Sequence, residues 1–194
     1  MHMPAPQPLA PDTSRRDWTV EELALLPDDG NRYEVVDGEL LVTPAPGWLH
    51  QRAARELVRL FLPYLEQTGL ELYFAPTAVR WGARSEVEPD LIVLPTLRDA
   101  TTRYIDGLHT LVLAVEVLSP TSVHADRVTK RAAYLANGVP DYWIVDTANR
   151  FVERWRPGDE APEILAEAVT WQPLADVPPL VIDLAVYFQR VHGS

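Results

Sequence analysis

Cysteine is absent from this chain of 194 residues. Its absence excludes a disulfide framework and any thiolate zinc site, and suits a cytoplasmic protein. Long apolar runs are missing too: none approaches the roughly 20 residues that a membrane-spanning helix needs. Arg15-Arg16 is followed by Asp17-Trp18-Thr19 where an export signal would need an apolar stretch. A soluble, cytoplasmic protein without a membrane partner is therefore expected. Positive charge is in short supply, with 17 Lys and Arg against 28 Asp and Glu and a formal charge of −11. This argues against a protein that coats nucleic acid by bulk attraction. An enzyme using a local basic patch and a divalent cation is still compatible with it. Lysine is the scarcest cation of all. Lys130 stands alone among the basic residues, and its compact charge and movable pKa are properties that arginine lacks.

What is present reads as one domain. Residues 1–17 contain Pro4, Pro6, Pro8 and Pro11 and read as a loose arm, with a single domain over 18–194. Thr19 and Glu22 form a capping-box pattern for a short helix reaching about Leu26. Arg32–Val36 and Glu39–Thr43 flank Asp37-Gly38, the turn pair of a two-residue hairpin. A helix is expected from about Leu49 to Gln67, with Ala53, Leu57, Leu60, Phe61 and Tyr64 at helical spacing. Arg52, Arg55 and Arg59 share another face of it, either as a solvated stripe or as phosphate contacts. Glu71–Phe74 and Ala78–Trp81 are expected to pair with each other around Pro76. Buried strands are expected at Asp90–Leu94, Leu111–Leu118 and Asp141–Asp146, with a helix from Ser119 to Asn137 between the last two. A further strand reaches Trp155, and Asp183–Val191 forms a closing amphipathic segment.

Three residues stand out. Glu116 is the one charged residue in an eight-residue apolar strand, where a lone carboxylate faces a large desolvation penalty. Pairing with an arginine would be the structural explanation, and metal binding the functional one. Asp90 sits at the mouth of another apolar strand, as a loop cap or as a second ligand. Two such carboxylates supply the oxygen donors that magnesium prefers while it keeps several waters. Five histidines and no cysteine favour Mg2+ or Mn2+ over zinc. Lys130 lies on the helix after the Glu116 strand, four residues past Asp126. It is either a local ion pair or an ammonium that orients an attacking water and offsets charge on a pentacoordinate phosphate.

In order along the chain, Pro89-Asp90, Glu116-Val117-Leu118-Ser119-Pro120-Thr121, Asp126 and Lys130 resemble the Uma-type endonuclease family of the PD-(D/E)XK superfamily. Tyr33-Glu34, Asp37-Gly38-Glu39, His50 and Gly138–Asp146 extend the resemblance over most of the chain. It implies an α/β (α+β) restriction-endonuclease-like fold: a mixed central β-sheet flanked by helices, with an N-terminal hairpin. It also implies hydrolysis of DNA phosphodiester bonds at a divalent metal held by Asp90, Glu116 and the Val117 carbonyl. Glu34 is then an auxiliary acid and His50 a neighbour of the site. The superfamily usually places its lysine two residues after the glutamate; Leu118 stands there, so Lys130 must act from the next helix. The alternative is a catalytically silent nuclease fold that binds nucleic acid or protein. Arg52, Arg55, Arg59, Arg80 and Arg84 are candidate phosphate contacts. Self-association as a homodimer or higher homo-oligomer is expected, with the tryptophans and Val181–Val191 either as an interface or as core.

Overall fold

The computed structural model describes residues 11–96 and 104–193, so residues 1–10 of the expected arm lie outside the described residues. Helix α1 (Val20–Leu23) precedes the hairpin strands β1 (Asn31–Val36) and β2 (Glu39–Pro44). Helix α2 (Trp48–Leu65) leads to β3 (Leu70–Phe74), β4 (Val79–Arg80), β5 (Glu86–Val87) and β6 (Leu91–Pro95). Next come β7 (Ile105–Asp106), a single 3-10 turn and β8 (Leu113–Val117). A helix wound with i→i+5 bonds over Ala125–Lys130 continues as α3 (Arg131–Ala136). Strands β9 (Tyr142–Asp146), β10 (Phe151–Trp155), β11 (Glu163–Leu165), β12 (Ala168–Trp171) and β13 (Leu180–Asp183) follow, then helix α4 (Leu184–His192).

These strands form three sheets. A six-stranded mixed sheet runs β11-β10-β9-β8-β6-β3, and a five-stranded sheet runs β2-β1-β5-β4-β7. Strands β12 and β13 make a separate ribbon. Within the larger sheet only β8 and β9 run parallel, and a parallel pair needs a crossover connection. That crossover is the helix carrying Lys130.

The period-2 alternation of the central strands sorts their side chains into two layers. Leu91, Val93, Leu113, Val115, Trp143 and Val145 face α2, α4 and the ribbon. Phe61, Trp143 and Trp171 meet there, with ring centroids 5.4 to 6.2 Å apart. Ile92, Leu94, Ala114, Tyr142 and Ile144 face α3 and the five-stranded sheet. Fully burying each such aliphatic chain stabilises the fold by about 1.5–3 kcal/mol. Trp18, Trp143, Trp155 and Trp171 are core residues, and Trp48 is exposed.

Two expectations are corrected. Strand β3 does not pair with β4: it pairs antiparallel with β6, Phe74 opposite Leu91, while β4 belongs to the other sheet. Five residues in register along a buried strand outweigh the two that β4 can offer, and Arg80 of β4 is instead paired with Glu86 of β5. The regular helix expected from Ser119 starts later, because the Ser119 and Ser122 hydroxyls (3.0 Å apart) and the Ser119 carbonyl close a turn first. Strands β5, β7, β11, β12 and β13 were not anticipated; each is only two to four residues long, too short to show a clear period-2 pattern.

The hairpin turn anchors the N-terminal segment. Asp37 and Gly38 have φ of 51° and 88°, the left-handed pair a two-residue hairpin requires. The Gly38 carbonyl accepts the Trp18 N–H at 3.1 Å. A Cβ on Gly38 would lie 2.4 Å from the Arg16 carbonyl oxygen. Gly38→Ala is therefore expected to cost about 1–3 kcal/mol, read as a lower urea midpoint; an unchanged midpoint would show that the segment does not dock on the turn.

Candidate active site

Strand parity decides which carboxylates meet. Glu116 shares the side of β8 with Ala114, which packs in the layer of Ile92 and Ile144. The register Leu91↔Val115 puts Asp90 opposite Glu116, and side chains opposite one another across strands share a face. On β1, Arg32, Glu34 and Val36 alternate onto one side, and Val36 packs in the same layer. The i→i+5 turn of the crossover helix brings in Asp126 and Lys130, both buried. Such widened turns are frequent at functional sites.

Lys130 Nζ lies 2.8 Å from Glu34 Oε2, 3.1 Å from Glu116 Oε1 and 3.7 Å from Asp126 Oδ1. The local partner is thus the most distant, and the lysine reaches across to two strands. Tyr134, one turn further on, donates its hydroxyl to the same Glu116 oxygen at 3.1 Å. Asp90 is held separately. Its Oδ2 accepts the Val117 N–H at 2.8 Å and lies 2.9 Å from His50 Nε2. Its Oδ1 accepts from Arg32 Nη1 at 3.1 Å. The Glu88 N–H donates to Glu34 Oε1 at 2.8 Å.

The structure thus brings Glu34, Asp90, Glu116 and Lys130 together, with His50 against Asp90. Val117 contributes its N–H to Asp90. Arg32 and Tyr134 went unread in the sequence. The alternation Arg32-x-Glu34 on one strand face, and the four-residue step from Lys130 to Tyr134 on one helix face, are the signals that could have found them. Of the five arginines expected at phosphates, Arg55 alone lines the cleft described below. Arg84 donates to the Asp37 carbonyl at 2.7 Å, and Arg52 to the Val191 carbonyl at 3.4 Å.

Burial pushes the Glu116 carboxyl well above its ordinary range against the pull of Lys130, with the charges of Asp126, Asp90 and Glu34 adding to the rise. Burial likewise raises Asp126 against the pull of Lys130. For Asp90 burial also pushes upward, but the His50 contact, the Arg32 guanidinium and the Val117 N–H outweigh it and bring the carboxyl down to about 2. Burial lowers Lys130, yet Glu116, Glu34 and Asp126 together carry it above its ordinary value, so the ammonium stays charged.

A hard divalent cation suits the chemistry of these donors. Four buried carboxylates face two fixed cations, Lys130 and Arg32. Two buried carboxylate oxygens of this cluster, Asp126 Oδ1 and Glu34 Oε2, lie within ion-pair distance of Nζ but accept no hydrogen bond. Among the described residues no three His, Asp or Glu side chains are already gathered as cation ligands; Nζ stands between the carboxylates instead. A cleft of about 540 Å³ opens on the Asp90 side, where Asp90, His50, Arg32 and Glu88 line it. A smaller one of about 190 Å³ joins His50 to the Ser119–Ser122 turn.

The Glu116 carboxyl binds its proton more tightly folded than unfolded. Its contribution to stability is then full below the ordinary glutamate value of 4.5 and is lost as pH rises through the raised folded value. Glu116→Gln is therefore expected to melt above the parent at pH 8, with the gain vanishing below about pH 4.5. Thermal melts across that range check this; a variant melting below the parent at pH 8 would show that the ionised carboxylate stabilises the fold.

No curated protein matches this sequence. A solved structure does match in fold: a putative nuclease belonging to DUF820 from Anabaena variabilis. It is 18% identical, superposes with a TM-score of 0.71, and the match covers 90% of this chain and 99% of that one. The fold is thus restriction-endonuclease-like, with mixed sheets flanked by helices. Among the described residues no helix is long and apolar enough to cross a membrane. The model of Uma2, described as a putative restriction endonuclease, matches residues 20–186, a span holding every residue of the site above, and the chain accordingly belongs to the Uma2 family.

Proposed function

We propose that the protein is a metal-dependent endonuclease that hydrolyses DNA phosphodiester bonds in this site. The observation that carries the reading is the convergence of Asp90, Glu116 and Lys130 from three elements beside an open cleft. Asp90 and Glu116 would hold Mg2+ or Mn2+, with the Val117 carbonyl as a further donor. When bound, the cation supplies Lewis acidity at a phosphate oxygen and makes bound water more acidic. Lys130, permanently protonated, acts as a fixed charge that orients the attacking water and offsets charge on the pentacoordinate phosphate; it is no general base. Tyr134 and Glu34 hold the positions of Glu116 and Lys130. Arg32, which lines the cleft and already binds one carboxylate, is placed to take a phosphate oxygen. His50 keeps Asp90 ionised and oriented.

One observation favours a second reading, a silent nuclease fold that binds nucleic acid or protein: in the described arrangement Lys130 already neutralises the carboxylates a cation would use. Plasmid nicking separates the two. Nicking is expected with magnesium or manganese and not in EDTA, and Asp90→Ala, which removes a ligand itself, is expected to lower it by about a hundredfold, the upper end of what loss of a ligand's supporting partner costs. Lys130→Met is expected to fall by a similar factor while still binding the cation in a calorimetric titration. A parent that binds neither cation and leaves plasmid intact would establish the silent reading.

A further inference from the structure

The cleft beside Asp90 is larger and more apolar than a phosphate and a hydrated cation require. Its volume is about 540 Å³, and beyond the charged group at Asp90 its walls include Phe74, Pro46 and Val58, with the amides of Asn31 and Gln51. Phe74 is 57% exposed. It pairs with Leu91, the residue after Asp90, and the next N–H along, that of Ala75, donates to the Asp90 carbonyl at 3.2 Å. An aromatic ring open to solvent thus stands on the strand beside the one presenting Asp90.

The lip of the cleft is basic in a chain of net charge −11. Arg55 lines the cleft with its side chain 67% exposed, and Arg59 lies one turn on at 62%. Both lean on the buried carboxylate of Glu56, which Arg190 also approaches at 4.0 Å. Three guanidiniums to one carboxylate leave positive charge facing outward, as a phosphodiester strand requires.

We infer that this cleft receives one unstacked nucleobase of the substrate strand, laid against Phe74 while the adjoining phosphates run along Arg55 and Arg59. The inference rests on the nuclease reading and narrows its substrate class to nucleic acid with an unpaired base next to the scissile phosphate. A base inside an intact duplex could not enter without leaving its stack, which costs a few kcal/mol; a single strand enters freely. The side-chain amides of Asn31 and Gln51 each carry a donor and an acceptor, so they can serve any base edge, and weak base preference follows.

Binding is measured on the parent protein in EDTA and again with calcium ions, by anisotropy of short oligonucleotides, single-stranded or as the matching duplex. A 2-aminopurine in the strand reports on unstacking. The single strand is expected to bind more tightly than the duplex and to change its 2-aminopurine emission on binding. Phe74→Ala should weaken single-strand binding roughly tenfold, the scale of one base–aromatic stack, and abolish the emission change. Phe74→Trp should restore both, and the exposure of Phe74 leaves the fold intact in either variant, which a thermal melt verifies. If Phe74→Ala binds like the parent, or the emission never changes, the base site is overturned, and metal-dependent nicking by the parent would still uphold the nuclease reading. If no oligonucleotide binds in either condition, both fall together.

Discussion

The geometry of the site depends on one ammonium group. Lys130 is 2% exposed and holds Glu34, Glu116 and Asp126 from three different elements. At an effective dielectric of roughly 20, each contact of this length gains about 5 kcal/mol of Coulomb energy. Moving each ion from water into the interior costs several kcal/mol in return, and the carboxylates also repel one another. Attraction and penalty are of the same size, so the cluster adds little net stability. The two apolar layers of the central sheet hold the fold, and they hold the cluster in it. A charged group kept at such cost in a buried layer points to a use other than folding, which is the physical basis for reading the site as functional.

Under the proposed function, an acidic chain would have to attract a polyanion. Net charge acts over a Debye length and is screened by salt, whereas the cleft presents Arg32 inside and Arg55 with Arg59 outside. A cation bound to the carboxylates would turn their negative charge into attraction for a phosphate. On this view the surplus of acid is partly a property of the cation-free site and does not describe the loaded one. Local arrangement, rather than the formal −11, would then govern such an encounter.

Much of this was legible in the sequence because burial and alternation leave plain marks. A single Glu in an apolar strand is visible by its cost, and Glu116 does lie 1% exposed among apolar neighbours. Asp37-Gly38 names its turn because few residues other than such pairs tolerate two left-handed conformations in succession. Helix α2 was readable from the spacing of Ala53, Leu57 and Phe61, all buried. Strand pairing was not, since β4 and β6 both follow β3 in the chain and only the length of the partner strand decides between them. The reach of Lys130 was equally hidden. Sequence spacing favours Asp126 at four residues, and only the crossover between parallel β8 and β9 brings the ammonium nearer to Glu34 and Glu116.

The site has two sides, and they divide the work between them. Asp90, His50 and Arg32 line the cleft, whereas Glu116, Lys130, Asp126 and Tyr134 are buried next to it. Under the proposed function substrate would arrive on the Asp90 side, where three donors keep the carboxylate ionised down to about pH 2. The rear side works against ionisation: burial raises Glu116 and Asp126, and the ammonium draws both back, joined at Asp126 by the Ser122 hydroxyl. A side chain at position 130 must consequently be long, positively charged and slender enough for a closed space. Arginine meets the first two conditions, but its planar fork needs several acceptors in one plane, whereas Nζ is a compact charge with three carboxylate oxygens within 3.7 Å. In a chain that otherwise uses arginine for positive charge, this geometry gives a physical reason for lysine at position 130.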